Sequence, residues 1–166
     1  MGTSAVEIGR VTPLVRRRAV VSEEPFIGSE RYDYADAFEI RTHRPQRGSA
    51  EQFARTALEQ APWPVRLAIR IAHRYLLRFR LGPASSPDHV LGWRILTSEP
   101  DVVVLEADAP LLRAVIIARK VDPTFAVAAT YVFFTRPGPA RFIWKIIGPL
   151  HRIVAPYLLK NAAVRG

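Results

Sequence analysis

Apolar and polar residues alternate in some stretches of the chain and recur at helical spacing in others, and these patterns predict its elements. Apolar and polar side chains alternate around Phe38 and Ile40, which predicts a first strand in residues 33–43. Ser49 follows a polar turn, and Gln52 three residues later completes a capping-box pattern. A helix is therefore expected to begin directly after Ser49.

A second helix is predicted over residues 63–81, where apolar side chains recur every three or four positions. Its arginines recur every fourth residue on the opposite side: Arg66, Arg70, Arg74 and Arg78. With Arg80, the stretch holds five arginines, and this number excludes a membrane span. A Gly-Pro pair at residues 82–83 is expected to end the helix.

Four β-rich runs follow, and a period of two persists through them: residues 89–97, 101–107, 111–121 and 125–134. Three residues separate each run from the next. Gaps this short demand antiparallel hairpins.

The last apolar segment, residues 141–160, is predicted to form an amphipathic helix with a broad buried face. Its apolar residues share one arc of a helical wheel: Phe142, Ile143, Ile146, Ile147, Leu150, Ile153, Val154, Tyr157 and Leu158. Its basic residues lie opposite that arc: Arg141, Lys145 and Arg152. These charges argue against a membrane span, and Pro149 is expected to make the helix curve or break.

These elements predict one α+β domain over residues 32–166, of a length that suits a single core. We expect a helix-grip arrangement, in which a curved antiparallel sheet of about five or more strands wraps around the long C-terminal helix. A helical pair follows the first strand. Residues 1–31 lack a sustained period and are predicted to be a poorly ordered lead-in.

Six segments carry a family resemblance: residues 32–40, 61–70, 92–96, 101–108, 129–144 and 148–162. In this order they resemble the START/Bet v 1-like (SRPBCC) helix-grip superfamily, and most closely a bacterial family known only as a domain of unknown function. Near the C-terminus, Pro149, His151 and Arg152 match that family's ending, while Leu150 replaces its aromatic residue. The resemblance implies a hydrophobic cavity between the sheet and the last helix, used elsewhere in the superfamily for lipids, sterols and other apolar molecules.

The function expected from this resemblance is binding of a hydrophobic or lipid-like small molecule in the cavity. The candidate ligand-binding residues are Trp93, Thr130, Trp144, Ile147, His151 and Val154. An alternative is an enzyme of the cyclase, hydratase or isomerase type, with His151 as acid or base. His151 has a structural alternative as a hydrogen-bonded residue of the helix–sheet interface. Asp33 and Asp36 are interpreted as capping or turn residues.

The net charge of +9 is concentrated in residues 62–82 and 123–166, which hold basic side chains and no acidic ones. One interpretation is a solvated basic face. The other is a peripheral membrane module that meets anionic lipid through Arg66, Arg70, Arg74, Arg78, Lys145 and Arg152. Nucleic acid is not expected as a partner, because no recognition motif accompanies the charge.

Several kinds of site have no sequence support. The chain has no cysteine and its four histidines are scattered, so we predict no metal site. It lacks a Gly-x-Gly-x-x-Gly motif, and no cofactor is predicted. The N-terminal arginines follow an apolar stretch, the reverse of a secretory signal, which indicates a cytoplasmic protein or one peripheral to the membrane. The oligomeric state stays open.

Overall fold

The computed structural model describes residues 13–20, 24–43 and 45–165, which form a curved antiparallel sheet and three helices. The strands are β1 (Leu14–Arg18), β2 (Tyr34–Arg41), β3 (Ser85–Ser86), β4 (His89–Val90), β5 (Trp93–Ser98), β6 (Val102–Asp108), β7 (Leu112–Asp122) and β8 (Phe125–Phe134). The helices are α1 (Ala50–Glu59), α2 (Trp63–Ile71), which a π-helical turn continues (Ala72–Leu76), and α3 (Pro137–Arg165).

The eight strands lie in the order β1-β2-β8-β7-β6-β5-β4-β3, and every neighbouring pair is antiparallel. Strands β5 to β8 are sequential neighbours, as the short gaps predicted. The single strand predicted over residues 89–97 is wrong, because Leu91 and Gly92 adopt φ values of 48° and 87° and divide it into β4 and β5. Strand β3 was not predicted. The long helix α3 packs against the sheet. The predicted α+β class, with a curved antiparallel sheet and a long C-terminal helix, is confirmed.

The two faces of the sheet carry different clusters of apolar side chains. On β2, Phe38 and Ile40 belong to the larger cluster, which the three helices cover. Ala37 faces the other way, into a smaller cluster with Tyr131 and Phe133 of β8. The alternation seen in the sequence therefore separates a helix-covered face from an opposite face.

Strand β1 was not predicted, because it lies inside the stretch assigned to a poorly ordered lead-in. It pairs with β2 along the edge that β8 leaves open, from Leu14 opposite Arg41 to Arg18 opposite Ala37. Three successive arginines interrupt any apolar alternation here, so backbone pairing makes the strand and the sequence pattern does not reveal it. The rest of the predicted lead-in includes residues 1–12 and 21–23, which lie outside the described residues.

The second helix ends earlier than predicted. The π-helical turn closes with a bond from the Leu77 amide to the Ala72 carbonyl, and Arg78 then adopts a φ of 56°. A positive φ is incompatible with a right-handed helix, so residues 77–81 leave the helix. The prediction of one helix over residues 63–81 is therefore wrong at its end, and Arg78 does not continue the line of arginines.

Helix α3 extends beyond the predicted segment at both ends and is not broken at Pro149 or Pro156. Its apolar arc is only partly buried. Five of its members are between 44% and 70% exposed: Phe142, Ile146, Leu150, Ile153 and Tyr157. The expectation of a broad buried face is wrong for these five, because the sheet contacts a narrower stripe that includes Ile147 and Leu158. Over the described ranges, no helix has the length and apolar character needed to cross a membrane.

The predicted capping box at the start of α1 is present and gives a direct test of local stability. Ser49 Oγ accepts from the Gln52 amide at 3.2 Å, and Gln52 Oε1 accepts from the Ser49 amide at 3.1 Å. Ser49→Ala should lower the free energy of unfolding by roughly 0.5–2 kcal/mol, because it leaves the first amides of the helix unsatisfied. Ser49→Asp, which keeps an acceptor, serves as the control. Equal urea midpoints for Ser49→Ala and the unmodified chain would contradict the role of this box.

Candidate ligand-binding site

A cavity of about 260 Å³ lies between the helix-covered face of the sheet and the three helices. Its lining is mainly apolar. Alanines occupy many of the lining positions: Ala54, Ala57, Ala68, Ala72, Ala114, Ala118, Ala128 and Ala155. These small side chains do not fill the space between the sheet and the helices, and the cavity results from this.

The mouth of the cavity lies between α2 and α3. Among the residues that line the cavity, Ala68 on α2 and Leu150 on α3 are themselves exposed. The opposite wall is closed by strands of the sheet through Leu105, Ile116 and Ala128. A molecule entering the cavity would therefore pass between the two helices.

All six residues predicted from the sequence to contact a ligand line this one cavity: Trp93, Thr130, Trp144, Ile147, His151 and Val154. Trp93 and Thr130 come from the sheet, and the other four come from α3. The structure thus brings these residues together, while their contact with a ligand stays a prediction.

Behind the cavity wall, Asp36 holds His151. Asp36 lies in the middle of β2, is only 1% exposed and shares the helix-covered face with Phe38. Its Oδ1 lies 3.2 Å from His151 Nε2, and its Oδ2 accepts from the Tyr34 hydroxyl at 2.6 Å. Burial, the hydrogen bond to Asp36 and the charge of Asp36 raise the pKa of Tyr34 above its usual range, so Tyr34 stays a donor.

The interpretation of Asp36 as a capping or turn residue is wrong, because Asp36 is a buried strand residue. The period of two that predicted the strand also places Asp36 on the same face as Phe38 and Ile40, and this signal was sufficient to find it. Asp33 lies in a bend before β2, which agrees with its interpretation as a turn residue. Asp33 precedes β2, and its Oδ2 accepts from the Phe134 amide at 2.7 Å.

His73, which the sequence analysis did not single out, also lines the cavity. It lies in the π-helical turn, and its Nδ1 is 3.4 Å from the indole Nε1 of Trp93, which donates to it. Burial, and secondarily the charge of His151, lower the pKa of His73 to about 4. His73 is therefore neutral near pH 7, with its proton on Nε2. Its position four residues after the buried Ile69 was the available signal.

Trp144 packs closely against α3 itself. Its Nε1 is buried, and no described residue accepts a hydrogen bond from it. A Cβ atom added to Gly148 would come within 3.1 Å of that nitrogen, so the absence of a side chain at Gly148 leaves room for the indole. The ring also packs on Tyr34, at 4.9 Å between ring centroids, and lies 6.0 Å from the ring of His151.

The six residues predicted to form an anionic-lipid surface have different surroundings. Arg66 is partly buried and donates to the Glu59 carbonyl at 2.6 Å, and Arg152 donates to the Gly148 carbonyl of its own helix at 3.2 Å. Arg152 is exposed, and so are the other four: Arg70, Arg74, Arg78 and Lys145. Within the described ranges, no three His, Asp or Glu side chains are placed to hold a metal ion.

The pKa of His73 predicts how stability depends on pH. The folded-state pKa is about 4 and the ordinary pKa is 6.5, so between these values the unfolded chain binds more protons than the folded chain. The free energy of unfolding should therefore fall as the pH drops from 6.5 to 4. His73→Gln should flatten this fall in urea unfolding series, and His43→Gln, at an exposed histidine, should not. Parallel curves for both variants would contradict the buried, neutral state of His73.

Comparisons with family models, with curated proteins and with solved structures give no match to this chain. The assignment of a function therefore depends on the geometry of the cavity and its polar residues.

Proposed function

We propose that the chain binds a hydrophobic, lipid-like small molecule in the cavity under α3. The observation that supports this is the cavity itself, about 260 Å³ in volume, lined mainly by apolar side chains and open between two helices. Protein interiors are normally close-packed, and an unfilled apolar cavity sacrifices dispersion contacts that an apolar ligand restores. The resemblance to the helix-grip superfamily supports the same function.

The volume limits the size of the ligand. Pockets for drug-sized ligands run to about 300–1,000 Å³, and this cavity lies just below that range. A single narrow chain or a small ring system suits it better than a bulky polycycle. Native mass spectrometry of the protein as purified should show a bound apolar molecule.

A cavity-filling substitution tests the location of the ligand. Ala128→Leu projects a larger side chain from β8 into the cavity, so it should weaken binding of the neutral fluorophore N-phenyl-1-naphthylamine roughly tenfold or more, since overpacking costs about 1–3 kcal/mol. Ala84→Leu makes the same change at an exposed loop residue and is the matched control. Equal fluorophore affinity in both variants, or a protein that is always empty, would contradict ligand binding in this cavity.

A second candidate function, docking of the cavity mouth on an anionic membrane, is favoured by the exposed residues beside the mouth. On α2 and its π-helical turn, Leu67, Ile71 and Tyr75 form an exposed line with four-residue spacing. Arg70 and Arg74 immediately precede Ile71 and Tyr75 and form a neighbouring basic line.

Helix α3 repeats this arrangement. Phe142 and Ile146 are exposed, and the exposed basic residues Arg141 and Lys145 each precede one of them. Residues 62–82 and 123–166, which contain both helices, hold no acidic residue. Apolar side chains interleaved with cations match a surface with anionic headgroups above acyl chains. The sequence predicted a cytoplasmic protein or one peripheral to the membrane. This location stays part of the proposal.

Sedimentation with vesicles tests membrane docking. The chain should bind phosphatidylglycerol-containing vesicles, bind phosphatidylcholine vesicles weakly, and be released by salt. Replacing Arg70 and Arg74 by glutamine should weaken binding roughly thirtyfold, because each basic residue contributes about 1 kcal/mol near such a surface. The same change at the exposed Arg16 and Arg18 of β1 is the control. Equal losses in both pairs would indicate only a general charge effect and contradict docking through α2.

A further inference from the structure

The cavity has a small set of polar side chains in an otherwise apolar lining. Besides the two tryptophans, three lining residues carry side chains that can form hydrogen bonds: His73, Thr130 and His151. The indole N–H of Trp93 is directed to His73, and that of Trp144 is buried against Gly148. Besides the Trp144 N–H, which lacks an acceptor among the described residues, two imidazoles and one hydroxyl can contact a ligand.

The Asp36 carboxylate determines which ring nitrogen of His151 carries a proton. It lies 3.2 Å from His151 Nε2, and a carboxylate accepts a hydrogen bond, so that nitrogen carries a proton. The other ring nitrogen, Nδ1, is then the one that takes up or releases a proton. A carboxylate behind a histidine fixes its tautomer and stabilises the cation that forms when the ring accepts a proton.

The burial of Asp36 is difficult to explain by stability alone. A carboxyl group that is 1% exposed within a strand is costly to bury, even with hydrogen-bond contacts to Tyr34 and His151. Apolar residues of similar volume commonly replace such buried pairs without loss of stability. The pair lies at the wall of the cavity, where its chemistry has a use.

His73 and Thr130 complement this pair. Because Nδ1 of His73 accepts from Trp93, its Nε2 carries the proton and is a donor. Thr130 is opposite Asp36 in the pairing of β2 with β8, and it lines the same cavity as His151. Two neutral donors and one base are the groups that proton removal beside a carbonyl requires, since negative charge then develops on the carbonyl oxygen.

We propose that His151, positioned by Asp36, is the general base of an isomerase-type site that moves a proton on the carbon next to a carbonyl group of an apolar substrate. This inference rests on the proposed ligand binding. His151 Nδ1 takes the proton from that carbon, the C–H electron pair forms the enolate double bond, and the carbonyl π pair moves to the oxygen. His73 and Thr130 donate hydrogen bonds to that oxygen.

The reaction is completed by the same groups. The protonated His151 returns its proton to the original carbon or, in an unsaturated ketone, to the far carbon of the conjugated system. Electrons and protons balance within the substrate and His151, so the step needs no oxidant, reductant or co-reactant. Proton exchange with solvent water while His151 is protonated gives the reaction a measurable trace.

The experiment uses 2-tetralone, a small apolar ketone, and its hydrocarbon counterpart tetralin. Displacement of N-phenyl-1-naphthylamine measures the binding of both, and proton NMR in D₂O measures exchange of the protons next to the carbonyl of 2-tetralone. We expect both molecules to bind and the full-length protein to accelerate exchange with saturation kinetics. If neither molecule binds, ligand binding and this inference both fail.

Single substitutions test which side chains carry out the proton exchange. His151→Gln should reduce the exchange rate of bound 2-tetralone roughly 100-fold or more, as loss of a general base does. His43→Gln at an exposed histidine should have no effect. Asp36→Asn should lower the exchange rate while the affinity for 2-tetralone changes less than twofold, a separation that a purely structural role does not produce. Imidazole added to His151→Ala should restore part of the exchange.

The inference is overturned if 2-tetralone binds and exchanges no faster in the unmodified chain than in His151→Gln. It is also overturned if Asp36→Asn loses affinity and rate in parallel, because Asp36 would then maintain the cavity and not the base. In either case the binding of tetralin continues to support the proposed ligand binding.

Discussion

The pairing of β2 with β8 is the contact on which the rest of the structure depends. It joins a strand near the start of the domain to the last strand, so that Asp36 lies opposite Thr130. Helix α3 begins three residues after β8 and packs against the same sheet. This brings His151 back to Asp36 across 115 positions of sequence. The approach of Asp36, Thr130 and His151 to one another therefore follows from one strand pairing.

Helix α3 is held near its C-terminal end by tight contacts, and its middle borders the cavity. Ala162 is fully buried, and the Gln46 side chain donates to the Ala163 carbonyl at 2.9 Å. Between the buried Ile147 and Leu158, the inward positions of the helix include His151, Val154 and Ala155, which line the cavity. The small residues facing this stretch leave space that larger ones would fill. The cavity therefore lies under the middle of α3, between the buried Ile147 and Leu158.

Much of the fold could be predicted because it depends on local patterns. The capping box at Ser49, strands β6 to β8 and the C-terminal helix each follow from period and turn chemistry within one stretch of chain. Strand β1 could not be found this way, since an arginine-rich edge strand gains its stability from pairing with β2. The early end of the second helix depends on a positive φ at Arg78, which no residue type in that position signals.

The exposed half of the α3 arc shows a different limit of the sequence pattern. A helical wheel identifies apolar residues but not which of them the sheet covers, so Phe142 and Ile147 look equivalent while only Ile147 is buried. Such exposed apolar residues mark surfaces that meet a partner. These residues lie beside the mouth of the apolar cavity, so the exposed surface of α3 adjoins the cavity under the helix.

Part of the candidate site was predicted from the sequence, and there is a physical reason why the other part was missed. His151 and the five other predicted lining residues lie on elements that period alone could identify, although the period did not show how much of the α3 arc the sheet covers. The partnership of His151 with Asp36 depends on the long-range pairing of β2 with β8, which no local pattern encodes.

Asp36 also shows why the chemistry of the site and the stability of the fold are coupled. Deleting its side chain would leave the partly buried Tyr34 hydroxyl and one nitrogen of His151 without their acceptor, and an unsatisfied group costs up to about 1–3 kcal/mol when it is fully buried. A truncation would thus combine a folding defect with any catalytic one. Asparagine keeps the shape and one oxygen acceptor while removing the charge. In the proposed reaction the charge acts on His151, so the isosteric change separates the structural role of this buried side chain from its proposed catalytic role.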